Sequence, residues 1–376
     1  MHTPGGVSLA PQTPAMYQRW IRALRADPPG AAGQDKARRE TFCAALEQAE
    51  QLFAAARVTD AMVRPLLVYY GLNQAGRAIA AAASHVPCRV QQPGLPGEPW
   101  KLTGHGLKIV GGTNAMNGLD VAAIPLMDDR SGAFPQLAGI LSSGSLAAVK
   151  SGNSAVARVT VGQIWETIPD TIGFSLPGPA DLPVLAFDSE GFFGNHPGSG
   201  LSSLMRQPLR RGQESGCLEG IPRRVHDAAD QKTALKEFLD RYPTLGDYQI
   251  DGPDGRLDWT RDSTAMGMHR VRLFWNLAQP TASQPAQPLE EKVATWYRGQ
   301  QFVFPALGDN SKPLHPLLAW WAVLYALSML ARYEPCAWTK RADIDTSTEA
   351  VAIEHLLEAA LEYLPRVILD TIGQVT

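Results

Sequence analysis

The sequence predicts an α+β protein, with a mainly helical body built from both ends of the chain and a strand-containing lobe inserted between them. Three observations carry this. Residues 35–57 repeat apolar side chains at three- and four-residue steps, the period of one helix face. Residues 316–333 are apolar almost throughout, as in a helix buried on every side. From Pro87 onward Gly, Pro, Ser and Thr become frequent and short alternating runs appear, the texture of strands and turns. The chain therefore divides into a flexible N-terminal arm at 1–34, a helical body at 35–86 and 300–376, and an inserted mixed α/β lobe at 87–299.

The first helix at 35–57 turns Phe42, Ala45, Leu46, Ala49, Leu52 and Phe53 to one side. A second is expected from Thr59 or Asp60, either a good N-cap, to about Ser84, with Pro65 in a first turn where a missing amide donor matters least. Strands are expected at 101–110, 155–161 and 182–187, a strand or core segment at 271–277, and short helices at 163–168 and 228–241. Residues 111–155 and 188–222 read as loop-rich, and 278–290 as a proline-rich surface connection. Helices return at 316–333 and 347–363. The apolar run at 317–330 falls short of the about 20 residues a membrane span needs. Pro313, His315 and Pro316 on one side and Arg332 and Glu334 on the other mark it as a core helix.

Composition narrows the function classes. The chain has 376 residues, 45% hydrophobic and 19% charged, enough for a large core. A formal charge of -3 provides no global field for nucleic acid or anionic membrane. Cys43, Cys88, Cys217 and Cys336 lie far apart without zinc spacing, as free thiols of a reducing cytoplasm do. The N-terminal residues lack the basic and apolar regions of a signal peptide. No P-loop, GxGxxG, HExxH or GxSxG occurs, so no cofactor and no metal are expected.

Several islands, in order, resemble the YaaC-like family of bacterial proteins. They are Arg64-Pro65-Leu66-Leu67-Val68-Tyr69-Tyr70-Gly71-Leu72-Asn73, His105-Gly106-Leu107, Gly132-Ala133-Phe134-Pro135-Gln136-Leu137, and Ile164-Trp165-Glu166-Thr167-Ile168-Pro169. The last is Ser328-Met329-Leu330-Ala331-Arg332-Tyr333-Glu334-Pro335 with Trp338, trailed by a helix ending at Pro365. The family implies fold and class and carries no assigned reaction. A fainter resemblance links Tyr69-Tyr70-Gly71-Leu72-Asn73-Gln74-Ala75-Gly76-Arg77-Ala78 to the YYAxxxAxxA helix of HEPN domains, helical bundles of bacterial toxin and antiviral systems. That resemblance implies a HEPN-like shape for the helical body. It also raises a ribonuclease, but the usual arginine-to-histidine spacing is missing, since Arg77 to His85 and Arg261 to His269 are one residue too long and about 100° out of phase.

Candidate site residues follow from chemistry. Tyr69, Asn73 and Arg77 stand at i, i+4 and i+8 on one helix face, with Arg64 and Tyr70 beside them. They either line a pocket for an anion or nucleotide or form an internal network, with Arg77 paired to a carboxylate such as Glu334. Arg332 is either a structural ion pair or a bidentate phosphate ligand. His105 lies between glycines that allow a tight turn or close ligand approach. Arg206, Arg210, Arg211, Arg223 and Arg224 form a basic segment able to hold a phosphate backbone, although no aromatic side chains interleave for base stacking. Glu290-Glu291-Lys292 spells the ExK of metal-dependent nucleases by chance unless Asp258 or Asp262 joins it in a strand.

The leading expectation is a cytoplasmic, non-catalytic binding or complex-forming component of a bacterial defence or stress-response system, with a protein partner or a second copy of itself, nucleic acid or nucleotide as a further ligand, and no membrane. The alternatives are a degenerate HEPN-type ribonuclease or other phosphate-handling enzyme, and a nucleic-acid-binding module using residues 206–226.

Overall fold

The computed structural model describes residues 13–89, 97–112, 116, 118, 120–129, 131–146, 149–151, 154–156, 159–178, 181–189, 213–252, 254–260, 268–276 and 287–376. Helices α1 (Pro14–Ala26) and α2 (Gly30–Gln34) occupy the stretch expected to be a flexible arm. α1 is ordered because Tyr17 and Ile21, one turn apart, are buried, while Arg22 and Arg25 pair with Glu50. Helix α3 (Lys36–Arg57) starts where expected, with the Asp35 carboxylate accepting from Arg38 N at 2.9 Å. Helix α4 (Arg64–Ala82) starts later than expected. Thr59 Oγ1 donates to Ala55 O at 2.7 Å, so it closes α3 and does not cap α4. Pro65 then sits in the first turn of α4.

The inserted region holds β1 (Leu107–Ile109), β2 (Pro125–Asp128), α5 (Ala133–Ile140), β3 (Val149–Ser151), β4 (Ser154–Val156), β5 (Val159–Thr160) and α6 (Val161–Trp165). It continues through β6 (Leu185–Asp188), β7 (Gln213–Pro222), α7 (Arg223–His226), α8 (Gln231–Leu239), β8 (Tyr248–Gln249), β9 (Asp258–Thr260), β10 (Met268–Asn276), α9 (Leu289–Val293), β11 (Thr295–Tyr297) and β12 (Gln300–Val303). The strand expected over 101–110 is confined to 107–109, because Gly104 and Gly106 take left-handed φ of 62° and 78°. Val161 ends no strand; it opens α6 behind a capping box of Thr160 and Gln163. The loop-rich stretches contain α5 and the long strand β7. The connection expected at 278–290 lies largely outside the described residues, and its end is helical from Leu289.

All described strand pairings are antiparallel. One sheet runs β1-β2-β5, a hairpin pairs β3 with β4, and the main sheet runs β11-β12-β6-β7-β10-β8 with β9 also on β10. The insertion feeds two cores. Trp100, Leu107, Leu126, Phe134 and Trp165 are buried with the helical body. Leu185, Phe187, Leu218, Leu273 and Trp275 form a second core with α7, α8 and the main sheet.

The C-terminal helices are α10 (Pro316–Tyr333), α11 (Pro335–Arg341) and α12 (Ala350–Val375). α10 matches its expected span, and every residue from Leu317 to Ser328 is buried. Among the described residues no helix is long and apolar enough to cross a membrane. α4 touches α3, α10 and α12. Its small residues permit this: a Cβ on Gly71 would lie 2.9 Å from Phe53 Cε1, and one on Gly76 would lie 2.3 Å from Trp321 Cζ3.

A polar knot joins the two cores. The β11–β12 hairpin turns on Arg298 and Gly299, both with positive φ of 53° and 84°, as a two-residue twisted turn requires. Arg298 and the Tyr297 hydroxyl both bind the Asp170 carboxylate. Trp320 Nε1 of α10 donates to Tyr297 Oη at 3.0 Å, and His355 Nε2 of α12 lies 2.8 Å from Asp170 O. Burial pushes the Asp170 carboxyl above its ordinary range, and the Arg298 guanidinium opposes that shift.

α12 does not end at Pro365 as expected; it runs on to Val375. Proline cannot donate to the carbonyl four residues back, Leu361 O. Arg57 Nη2 donates to that oxygen at 2.8 Å and replaces the missing bond. Arg57→Ala should therefore cost about 1 kcal/mol of unfolding free energy, the net worth of one hydrogen bond. In a Pro365→Ala background, where residue 365 supplies its own N–H, urea denaturation should give less than half that cost. An equal cost in both backgrounds would rule out the substitution of one donor for the other.

Candidate functional site

The stripe Tyr69, Asn73 and Arg77 on α4 is continuous in the fold. Tyr69 is 1% exposed and Asn73 4% exposed, while Arg77 is half-buried. Arg77 Nε donates to Asn73 Oδ1 at 3.3 Å. Asn73 Nδ2 is buried and makes no hydrogen bond, an uncommon state for a buried amide. Tyr69 Oη lies 2.9 Å from His105 Nδ1, so the loop histidine meets this stripe directly.

α10 supplies the opposite wall. Tyr325 packs its ring 5.6 Å from Tyr69 and 6.3 Å from His105. Its hydroxyl donates to Leu107 O at 2.9 Å, which fixes the strand that follows His105. At the exposed end of α10, Arg332 Nη1 donates to Tyr70 Oη at 3.2 Å, and the guanidinium lies 5.0 Å from the Tyr333 ring.

Backbone contacts hold His105 in this position. His105 O accepts from Phe134 N at 3.1 Å, at the start of α5, and Gly106 O accepts from Asp129 N at 3.0 Å. Gly106 and Gly132 meet so closely that a Cβ on Gly132 would lie 2.6 Å from Gly106 N. Three of the five islands that carry the family resemblance, around Tyr69, His105 and Gly132, thus converge at one point, and the last, around Arg332, forms the rim.

Burial and two nearby cations dominate the electrostatics at His105, and the Asp129 carboxylate acts on Tyr325 beside it. Burial lowers the His105 pKa, and the nearby cations Arg332 and Arg77 lower it further, so the imidazole is neutral at pH 7. Burial raises the Tyr69 phenol well above its ordinary value, which keeps its hydroxyl protonated. Neither Arg77 nor Arg332 forms an ion pair among the described residues, and the expected pairing of Arg77 with Glu334 does not occur. Among the described residues the arrangement offers two guanidinium groups without carboxylate partners, one neutral imidazole whose Nε2 makes no hydrogen bond, one buried amide donor and several aromatic rings. It can receive phosphate or carboxylate oxygens at the cations while an apolar ring lies on the tyrosines.

Arg64 stands apart from this cluster. Its Nε donates to Thr59 O at 3.1 Å at the start of α4, about 9 Å along the axis before Tyr70. Tyr325 and Tyr333 join Arg332 here although neither was put forward as a ligand residue, because α10 reads as uniform core; only the seven-residue spacing of Tyr325 to Arg332 signals a shared face.

The other sequence candidates fare differently. Arg206, Arg210 and Arg211 lie outside the described residues. Arg223 pairs with Asp227 at 2.8 Å and Arg224 with Asp181 at 3.6 Å, both at the surface. Glu290 and Lys292 sit on the short helix α9, not on a strand, which removes the nuclease reading of ExK; Asp262 is outside the described residues. Cys43, Cys88, Cys217 and Cys336 are unpaired. Although sequence spacing offered no metal ligands, the fold brings ligand atoms of His226, Asp227 and His269 within 4.8 Å of one another.

Glu166 lies in a separate cleft of about 290 Å³, with Asp120, Gln163 and Asp181. Its Oε2 accepts from Asp181 N at 3.0 Å and Leu182 N at 3.1 Å. Burial nevertheless pushes its pKa up to about 7. The folded state thus binds a proton more tightly than the unfolded chain does. This contribution is fully present below about pH 4.5, the unfolded value, and is lost as pH rises through about 7. Glu166→Gln should stabilise the protein at pH 8 relative to pH 4 by an amount on the order of 1–3 kcal/mol, read from urea midpoints. A pH-independent difference would refute this.

Gly132→Ala should also be costly. Its φ of 107° and the backbone of Gly106 both exclude a Cβ, so a loss of about 2–3 kcal/mol is expected in urea denaturation. Gly104→Ala is the control: φ is 62° with nothing within 4 Å, and it should cost about 1 kcal/mol. Equal costs would refute the close contact.

No curated protein and no solved structure matches the chain. A family model described as YaaC-like Protein matches residues 10–372, and the chain accordingly belongs to the YaaC-like family.

Proposed function

We propose that this chain is a binding component that captures a phosphate-bearing ligand, of the nucleotide class, between α4 and the end of α10. The observation that carries the reading is that Arg77 and Arg332 both act electrostatically on His105 and neither has a carboxylate partner among the described residues. Cations without a carboxylate partner near a neutral imidazole favour an anion, and a planar guanidinium suits two phosphate oxygens at once. The buried Asn73 Nδ2 adds a donor that a ligand oxygen would satisfy. Tyr333, 46% exposed beside Arg332, supplies a ring for a base.

The wider setting is a bacterial defence or stress-response complex, formed with a partner protein or a second copy. It is carried by the likeness of the Tyr69–Ala78 helix to HEPN bundles and tested by what copurifies with the chain. The degenerate ribonuclease is favoured by one observation: the Tyr69–His105 contact leaves Nε2 available as a general base beside two cations.

Calorimetric titration with ATP, ADP, inorganic phosphate and adenosine separates these readings. Nucleotides should bind and adenosine should not. Arg77→Ala and Arg332→Ala should each weaken binding by about 1.5–3 kcal/mol, the worth of a hydrogen bond to a charged group. Unchanged affinity in both variants, or no binding of any phosphate-bearing ligand, would overturn the proposal. Metal-independent RNA cleavage abolished by His105→Ala would move the assignment to the enzyme.

A further inference from the structure

The geometry points to a second, separate site, at which His226 and His269 bind a divalent transition-metal ion and Asp227 orients it. His226 ends α7 and His269 lies in β10. Their nitrogens and the Asp227 carboxylate come within 4.8 Å of one another. His226 Nδ1 lies 2.8 Å from Asp227 Oδ1. A carboxylate on one imidazole nitrogen fixes the tautomer and leaves the other nitrogen's lone pair for a metal, the usual outer arrangement of histidine ligands. Asp227 is itself held by Arg223 at 2.8 Å, so its role is to orient, and the direct ligands are the two imidazoles.

The surroundings form a supported wall. Trp259 packs edge-on against both imidazoles, with centroids 5.0 Å from His226 and 6.3 Å from His269. Its Nε1 donates to Gln231 Oε1 at 3.2 Å, and Gln231 Nε2 in turn donates to His226 O. The two imidazoles are stacked at 3.8 Å and 2°, so their lone pairs lie in parallel planes and one ring must shift before both meet a single ion. His269 makes no side-chain hydrogen bond among the described residues, so it is the ring free to swing toward the ion. Neutral imidazoles select zinc, nickel or copper over magnesium or calcium, and two of them leave coordination positions for water or a further ligand.

The test is calorimetric titration of Zn²⁺ into the full chain after chelator treatment, repeated with His226→Gln and His269→Gln. The wild type should bind one more equivalent than either variant, which subtracts any zinc taken by the exposed Cys88 and Cys336. Asp227→Asn should retain that equivalent with affinity reduced about 10-fold or more, the effect of losing an orienting partner. Should a glutamine variant fail to fold, protection of His226 and His269 from diethylpyrocarbonate by Zn²⁺ in the wild type, mapped by mass spectrometry, gives the same information. Equal stoichiometry and affinity in wild type and both glutamine variants, or no protection of either histidine, would overturn the site.

Discussion

The close crossing of α4 and α10 is the constraint on which the rest of the molecule depends. At Gly76 there is no room for even one methyl group against Trp321. Tyr70 meets Arg332 at one end of this contact and Gly76 meets Trp321 at the other, so the helices run in opposite directions. That approach brings the polar stripe of α4 beside the tyrosines and arginine of α10. A wider separation would bury the same apolar area elsewhere but leave Tyr69, His105 and Tyr325 out of mutual contact. Packing and site geometry are here a single requirement, because the small residues that tighten the core also set the width of the site.

The second requirement is polar. The sheet core and the helical core are joined through Asp170, which receives Tyr297 and Arg298 from a hairpin turn and lies beside His355. A buried carboxylate is costly unless every neighbour compensates it. The knot therefore holds the sheet in one orientation on α10 and α12. Arg38 does similar work at the other end of α4: it is 1% exposed, donates to Ala83 O and Val86 O, and faces the Trp100 ring at 5.3 Å. In both places the polar bonds define how pieces meet, while apolar burial supplies the driving force.

Much of the helical body was legible from the sequence, and the reasons are local. α3 and α10 matched because a clean apolar period and an unbroken apolar run each specify a helix without reference to the rest of the chain. The end of α12 was not legible, since Pro365 is a stop signal unless a distant Arg57 supplies the missing donor. β7 was missed because Glu214 and Glu219 interrupt its pattern and Gly216 and Gly220 suggest turns. In the fold Gly216 lies under the Phe187 ring and the strand is central, between β6 and β10. Of the site, Tyr69, Asn73 and Arg77 were readable from helical spacing. That His105 and Arg332 join them, and that Arg64 does not, depends on tertiary contacts that no spacing encodes.

On the proposed reading, the site suits capture more than turnover. A phosphoryl-transfer centre needs a positioned base, charge stabilisation and a means to protonate the leaving group. Here the base candidate, His105, has one nitrogen committed to Tyr69, whose own pKa is driven upward by burial, so the pair is poor at passing a proton onward. Arg332 is exposed, donates to the Tyr70 hydroxyl and lies 5.0 Å from the Tyr333 ring, where a guanidinium gains from an anion without first leaving a carboxylate. Such a site is inexpensive to fill and to empty. On that reading, a phosphorylated ligand would act on the packing of α4 against α10, because Arg332 both faces the proposed ligand and meets Tyr70 of α4.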